Sequence, residues 1–439
     1  MTLETLNNGQ STKEKRNHGL ILACSVIGTL IFLGTNSALF TIIAFFTCVF
    51  ICVQFPLNFS FGVLLFTLSM ATVFKLAPGQ SSLFTFVQLS WVVCAFWKTG
   101  MQFTKTDISI LLFSFYLIIC QVFNGGLSIS STIKLTFGLF MVMAVKKENL
   151  CCSYVSILLS YISGVLISSL LMYINSPLFK IVAYVSSKTE RLAGAAIDDN
   201  VTRFAGLYGD PNYYSVNIII AMILILCLYG KKKLASMPSI LLIATFVFFA
   251  AKTGSKSALF MLAIPAVLFV YISLKNQHYA LAVTSVLVIA LSVSMLLNGR
   301  VEAFSVAIQR LTANHAGLND LTTGRISKWM EFLDYILKRP LVLLFGKSLL
   351  NIMINDGAPH NTYIDMLFQL GIVGSVWIVS ILRTAWKDRK KSFPNYVLIG
   401  AVAILYFFLS ELQYSDFSFH LALCLIVANL DFKSNQEMR

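Results

Sequence analysis

PNYYSVNIIIAMILILCLYGKKK, residues 211–233, holds the apolar body of a membrane span and marks both of its ends. Residues 213–229 are uncharged and mostly apolar, and a helix needs roughly 20 such residues to cross about 30 Å of hydrocarbon. Asp210 stands just before the run in the position of a helix cap. Pro211 then takes the first helical position, where its missing N–H is no loss. A direct contact from Asp210 to substrate or to an arginine is the other reading. Lys231, Lys232 and Lys233 close the run as a basic cluster, which the positive-inside rule assigns to the cytoplasmic side.

Outward from this stretch, about fourteen runs of the same kind fill the chain. They lie near 20–35, 37–53, 57–74, 81–97, 107–122, 129–145, 154–175, 213–229, 237–251, 257–274, 279–297, 361–382, 395–410 and 417–430. The first two are close enough for a tight hairpin, and the sixth is the weakest. The chain is 57% hydrophobic and 12% charged, with a mean hydropathy of +0.79; an ordinary soluble domain is about 25% charged. The expected fold is an all-α polytopic integral membrane protein of about 14 transmembrane helices, with a large extracytoplasmic loop carrying amphipathic helices.

Charge sets the expected orientation. The net charge of +14 would point to nucleic acid in a soluble chain. Here much of it lies in short loops beside spans, and no basic stripe with interleaved aromatics is present. Lys98 and Lys105, Lys146 and Lys147, Lys231 to Lys233, Lys275, and the run Lys387, Arg389, Lys390 and Lys391 all fall on one side when both termini are cytoplasmic. The polar first residues lack the small-residue site that ends a cleaved leader. The expected order is a cytoplasmic tail over 1–19, seven helices over 20–175, an extracytoplasmic loop over 176–212, four helices over 213–297, a large extracytoplasmic loop over 298–360, three helices over 361–430 and a cytoplasmic tail over 431–439. The nine cysteines lie in or near spans, so no disulfide framework or zinc spacing follows.

Long connections are uncommon without purpose, which singles out the two outer loops. The second contains RISKWMEFLDYILKR, residues 325–339. Ile326, Trp329, Met330, Leu333, Ile336 and Leu337 recur at helical spacing, and Pro340 ends the run. The pattern reads either as an amphipathic helix on the outer interface or as one packed on the spans.

Four polar blocks fall on the outer side: Arg203–Asn212 (RFAGLYGDPN), Thr253–Ala258 (TGSKSA), Thr323–Trp329 (TGRISKW) and Ala358–Gly374 (APHNTYIDMLFQLGIVG). The spans after the first, second and fourth blocks all start outside, and helix N-termini attract anions. Together with Arg203, Lys256, Arg325 and His360 they make a natural site for a lipid-linked phosphate or diphosphate. Arg203 and Arg325 either contact that group or snorkel to headgroups. Asn361 reads as a cap, and Gly371 and Gly374 as allowing close helix packing. Asp365 is costly in a span unless paired, so it either orients a basic neighbour or faces an aqueous cavity. Glu411 and Asp416 read as solvated loop residues. His18, His278 and His420 lack supporting context, and His315 lies in the large loop.

In this order between these spans, the blocks resemble the O-antigen polymerase and ligase superfamily. The resemblance rests on Arg203, Gly206, Asp210, Pro211 and Asn212; on Gly324, Arg325 and Trp329; and on His360, Asn361, Gly371 and Gly374. It covers roughly residues 200–375. One departure is Lys256, where the family usually has arginine, so a two-pronged phosphate contact is lost there.

The resemblance implies a glycosyltransferase with a polyprenyl-diphosphate-linked glycan (undecaprenyl diphosphate in bacteria) as donor and a second lipid-linked glycan as acceptor. His360 would be the catalytic base, as histidine's reference pKa near 6.5 suits activation of a sugar hydroxyl. Arg203, Arg325 and Lys256 would hold the substrate diphosphate. Asp210, Pro211, Asn212, Asn361 and Asp365 would be structural or orienting. No acidic-x-acidic triplet occurs, so no metal and no cofactor is expected. Gly346-Lys347-Ser348 resembles the end of a phosphate loop, but Leu341 stands where its first glycine should be. The leading expectation is a repeat-unit polymerase for O-antigen of lipopolysaccharide, capsule or exopolysaccharide. It would sit in the bacterial cytoplasmic membrane among its lipids, with a chain-length regulator and a flippase as further partners. A ligase moving glycan to a lipid core or protein is the first alternative. A transporter or flippase of lipid-linked glycan is the second, and it would place polar groups or broken helices near the midplane.

Overall fold

The computed structural model describes residues 3–35, 37–77, 81–100, 103–147, 154–174, 203–279, 324–349, 354, 358–387, 393–407, 409 and 415–433. Their regular structure is helical: α1 (Leu3–Gly34), α2 (Ala38–Gln54), α3 (Leu57–Leu68), α4 (Leu83–Lys98), α5 (Lys105–Phe123), α6 (Ile129–Lys147), α7 (Tyr154–Tyr173), α8 (Pro211–Gly230), α9 (Ser236–Lys252), α10 (Lys256–Met261), α11 (Ala263–Lys275), α12 (Arg325–Leu337), α13 (Pro340–Phe345), α14 (Thr362–Trp386), α15 (Phe393–Phe407) and α16 (Ser415–Lys433). Among the described residues, 6 helical rods are long and apolar enough to cross a membrane: α5, α6, α7, α8, the joined pair Lys256–Lys275 and α14. Apolar helices of 10–17 residues occur in α1 to α4, α9, α15 and α16. The expected span at 279–297 lies outside the described residues apart from its first, as do Cys151, Cys152, His315, Glu411 and most of both outer loops.

The described residues are helical throughout their regular structure, and their exposed surface is that of an integral membrane protein. α5 buries Ile110, Phe113, Leu117 and Gln121, while Leu111, Leu112, Phe115, Ile118 and Val122 on its other side are exposed. An apolar stripe left outside a packed helix belongs against hydrocarbon.

The described residues form two compact units, 1–95 with 152–224 and 96–151 with 225–439. In the first, α3 is buried along its whole length and lies against α7. A Cβ on Gly164 would stand 2.1 Å from the Phe66 carbonyl oxygen, so only glycine lets these backbones approach. The Trp91 indole donates to the Leu57 carbonyl at 3.2 Å and its ring packs 4.9 Å from Phe61. α3 is shorter than the span expected over 57–74. After Leu68 the chain continues in turns whose bonds reach back three residues, such as Met70 N–H to Thr67 at 2.9 Å. Their carbonyls are met from outside the segment: Ser168 donates to Ser69 at 3.1 Å, and Ser82 to Ala71 at 2.7 Å.

In the second unit, α5 and α14 run antiparallel. The Trp377 indole donates to Ser109 Oγ at 2.8 Å, and Tyr116 meets Leu370 higher up. α6 packs on α16, where a Cβ on Gly138 would be 2.8 Å from Ser418 Oγ. Lys146 donates to the Thr384 carbonyl near the C-terminus of α14, and Lys147 pairs with Asp107. Cations at a helix C-terminus complement its dipole. These lysines therefore sit at the opposite end of α14 from His360, about 35 Å away at 1.5 Å per residue. The rod Lys256–Lys275 is interrupted at Leu262 because Pro265 has no N–H to offer the Met261 carbonyl.

Candidate functional site

The Arg203 block builds a tight local structure in the first unit. Asp210 Oδ1 accepts from the N–H groups of Asn212 at 2.8 Å and Tyr213 at 3.4 Å, so it caps α8, with Pro211 as the first helical residue. Asn212 turns its Oδ1 to Arg203, whose Nη2 donates at 2.9 Å. Arg203 is 9% exposed and anchored, rather than snorkelling into the interface. The turn Gly206–Tyr208 is seated on α7 and on the end of α3: Leu207 N–H donates to Ser168 Oγ at 2.9 Å, and the Thr72 hydroxyl donates to the Tyr208 carbonyl. Gly206 has φ +52°, and a Cβ there would fall 2.2 Å from the Tyr214 ring. Tyr214 is in turn fixed by its hydroxyl, 2.6 Å from Ser169 Oγ and 2.9 Å from the Val165 carbonyl.

The second assembly surrounds the start of α14. Asn361 accepts from Tyr363 N–H at 3.0 Å and Ile364 N–H at 3.1 Å, which makes it the cap. Just before it, His360 has φ +47°, a left-handed conformation that few non-glycine residues adopt. The Thr362 hydroxyl donates to the Leu409 carbonyl at 2.5 Å, and the Tyr363 hydroxyl to the Ala403 carbonyl at 2.8 Å. The start of α14 is thereby fastened to the end of α15. Asp365 is buried, and its carboxylate accepts from Gln369 Nε2 one turn on. An amide thus stands where sequence reasoning placed a basic partner or an aqueous cavity.

α12 covers this start. Phe332 and Ile336 are buried in a cluster with Val342 and Phe368, and the Phe332 and Phe368 rings meet edge to face at 4.9 Å. Met330 and Leu337 lie on the exposed side, so the helix packs on α14 with one apolar face and leaves another open. Of the two expectations for RISKWMEFLDYILKR, the packed one holds on this face. Phe332, outside the expected stripe, is the buried centre. Pro340 does not only end α12; it starts α13. The decisive contact is at Trp329, whose indole donates to the Pro359 carbonyl at 2.7 Å. Arg325 lies one helical turn before Trp329 on the same face, and His360 directly follows the carbonyl that Trp329 grips.

Residues 240–379 match the family model described as O-antigen ligase. Over this stretch the chain is similar to the O-antigen ligase family. No curated protein and no solved structure gives a significant match. The O-antigen ligase stretch takes in Lys256, Gly324, Arg325, Trp329, His360, Asn361, Asp365, Gly371 and Gly374, while the Arg203 block precedes it.

Within the O-antigen ligase stretch, Lys256 stands at the end of its rod nearer this assembly. Tyr271 lies 4.1 Å from Phe393, and the rod packs along α15. Fifteen residues back along one helix and fourteen forward along the other are about 22 Å and 21 Å. Lys256 therefore falls toward Phe407, whose ring is 5.0 Å from Trp329. Ser255 caps this helix by accepting from Ala258 N–H at 3.4 Å.

Sequence reasoning missed a break in the middle of α14. Gly371 has φ +64° and ψ −175°, and Gly346 opposite has φ +74° and ψ +176°. This region of backbone space is essentially reserved for glycine. A Cβ on Gly371 would stand 2.4 Å from the Leu344 carbonyl oxygen, and one on Gly346 2.3 Å from that of Gln369. The interrupted ladder is re-satisfied from outside: Lys347 N–H donates to Phe368 at 2.7 Å, and the Tyr116 hydroxyl lies 2.9 Å from the Leu370 carbonyl and 3.0 Å from that of Phe345. Gly346-Lys347-Ser348 is therefore the partner of a broken helix. Gly371 is a break as well as a close contact, and Gly374 packs near Tyr116. Asp416, expected in a solvated loop, is buried in the first turn of α16. His420 is also buried, with the Tyr406 hydroxyl 3.3 Å from its Nδ1.

Proposed function

We propose that this protein is a polymerase of lipid-diphosphate-linked oligosaccharide repeat units, acting at the outer face of a bacterial cytoplasmic membrane. In this reading His360 accepts the proton of an acceptor sugar hydroxyl as that oxygen attacks the anomeric carbon of the donor glycan. The bond from that carbon to the diphosphate breaks, and the polyprenyl diphosphate leaves as an anion. Arg325, with Lys256, stabilises the leaving charge. The observation that supports the reading is the Trp329–Pro359 hydrogen bond, which ties the helix that begins at Arg325 to the residue before His360, in a stretch that matches the O-antigen ligase family model. The lysines at the opposite end of α14 support the orientation, since short cytoplasmic loops gather such charge.

Two other outcomes have support of their own. The family description favours a ligase, and the break at Gly371 is a feature of transporters. Purified protein in liposomes, given lipid-linked repeat units, separates all three. Longer lipid-linked glycan is the expected product. Glycan transferred once to an added lipid core, without chain growth, would make it a ligase. Movement across the bilayer with no new glycosidic bond would end the enzyme reading.

A further inference from the structure

His360 is held from both sides. On the C-terminal side, the Asn361 cap and the Thr362–Leu409 bond fix the chain. On the N-terminal side lies the Trp329 indole, 2.7 Å from the Pro359 carbonyl. Strained backbone persists only where its surroundings over-determine it. Pro359 has no N–H of its own, so its carbonyl is the backbone group through which this side can be gripped. The Trp329 ring also packs edge to face on Phe407 at 5.0 Å, and Lys328 beside it donates to the Ile354 carbonyl at 3.4 Å. One turn back on the helix face of Trp329 is Arg325.

We propose that Trp329 is a positioning residue. Its N–H holds His360 in the left-handed conformation and fixes the spacing between the His360 imidazole and the Arg325 guanidinium. The proposal rests on the reading of His360 as base, and it predicts a geometric effect that can be seen without turnover. It separates the ring of Trp329, which packs, from its N–H, which aims a neighbour.

The test compares Trp329→Phe with Phe407→Leu in the full-length protein in liposomes. The first keeps an aromatic ring and removes the donor. The second keeps the donor and loosens the ring. Carbethoxylation of His360 by diethyl pyrocarbonate is followed by mass spectrometry, with exposed His278 as internal reference. Chain growth on lipid-linked repeat units is measured alongside. Trp329→Phe should raise the His360 modification rate and lower kcat about 10- to 100-fold, with KM and thermal midpoint close to wild type. Phe407→Leu should leave both near wild type. An unchanged His360 rate in Trp329→Phe, or equal effects of the two substitutions, would overturn the proposal. If the wild type forms no glycosidic bond, the functional reading fails, and the modification rates still decide the positioning role.

Discussion

α8 and α14 each begin at a capping side chain, Asp210 in one and Asn361 in the other, but their courses diverge. α8 is continuous and buried at every position from Tyr213 to Tyr229. α14 breaks at Gly371 and exposes Ile372, Val373, Val376 and Val379. An enclosed, regular helix has its backbone satisfied internally and only one arrangement open to it. A broken one depends on groups lent by neighbours, here Tyr116 and Lys347. The difference separates support from action: α8 ties down, through Asn212, an arginine that precedes it, while a strained histidine stands just before α14.

The largest expected effect falls on the working end of α14. His360→Ala should abolish chain growth in the liposome assay while the protein still inserts and purifies normally; product of normal length would remove His360 from the chemistry. Next is the break itself. Gly371→Ala forces a Cβ against the Leu344 carbonyl in glycine-only backbone space and should cost about 3 kcal/mol or more. Gly400→Ala meets nothing within 4 Å and should be neutral or slightly stabilising. Thermal unfolding in detergent compares the two, and equal midpoints would mean that the break is not built as described. Tyr116→Phe removes the hydroxyl that two carbonyls share and should cost about 1–3 kcal/mol. The smallest effect belongs to α8, where Asp210→Ala loses a cap worth ~1 kcal/mol. A loss in Asp210→Ala that exceeds the one in Tyr116→Phe would reverse the ranking of the two helices.

Much of α8 can be read directly from its residues. The uncharged run, the Asp-Pro start and the lysine stop each act locally, so hydropathy and capping rules find them. The Arg203–Asn212 link joins residues that a polar block already groups. α14 yields less to such reading. Gly371 looks like any small residue in a span, because hydropathy is blind to the sign of φ. Tyr116 lies mid-span with no periodic mark, and it acts on carbonyls more than two hundred residues later. The early end of α3 escaped for the same reason, since serines from other segments replace its missing turns. Trp329 was visible within a motif, but its indole bond to Pro359 depends on how α12 folds back over α14.

The crossing at Gly346 and Gly371 makes these two positions hostages to each other. Each backbone fills the volume a side chain on the other would need. A relative that keeps this elbow must leave both sites bare, and one that fills either must have rebuilt the bend. Paired bareness at two places 25 residues apart is thus a fingerprint of the bend, available from letters alone.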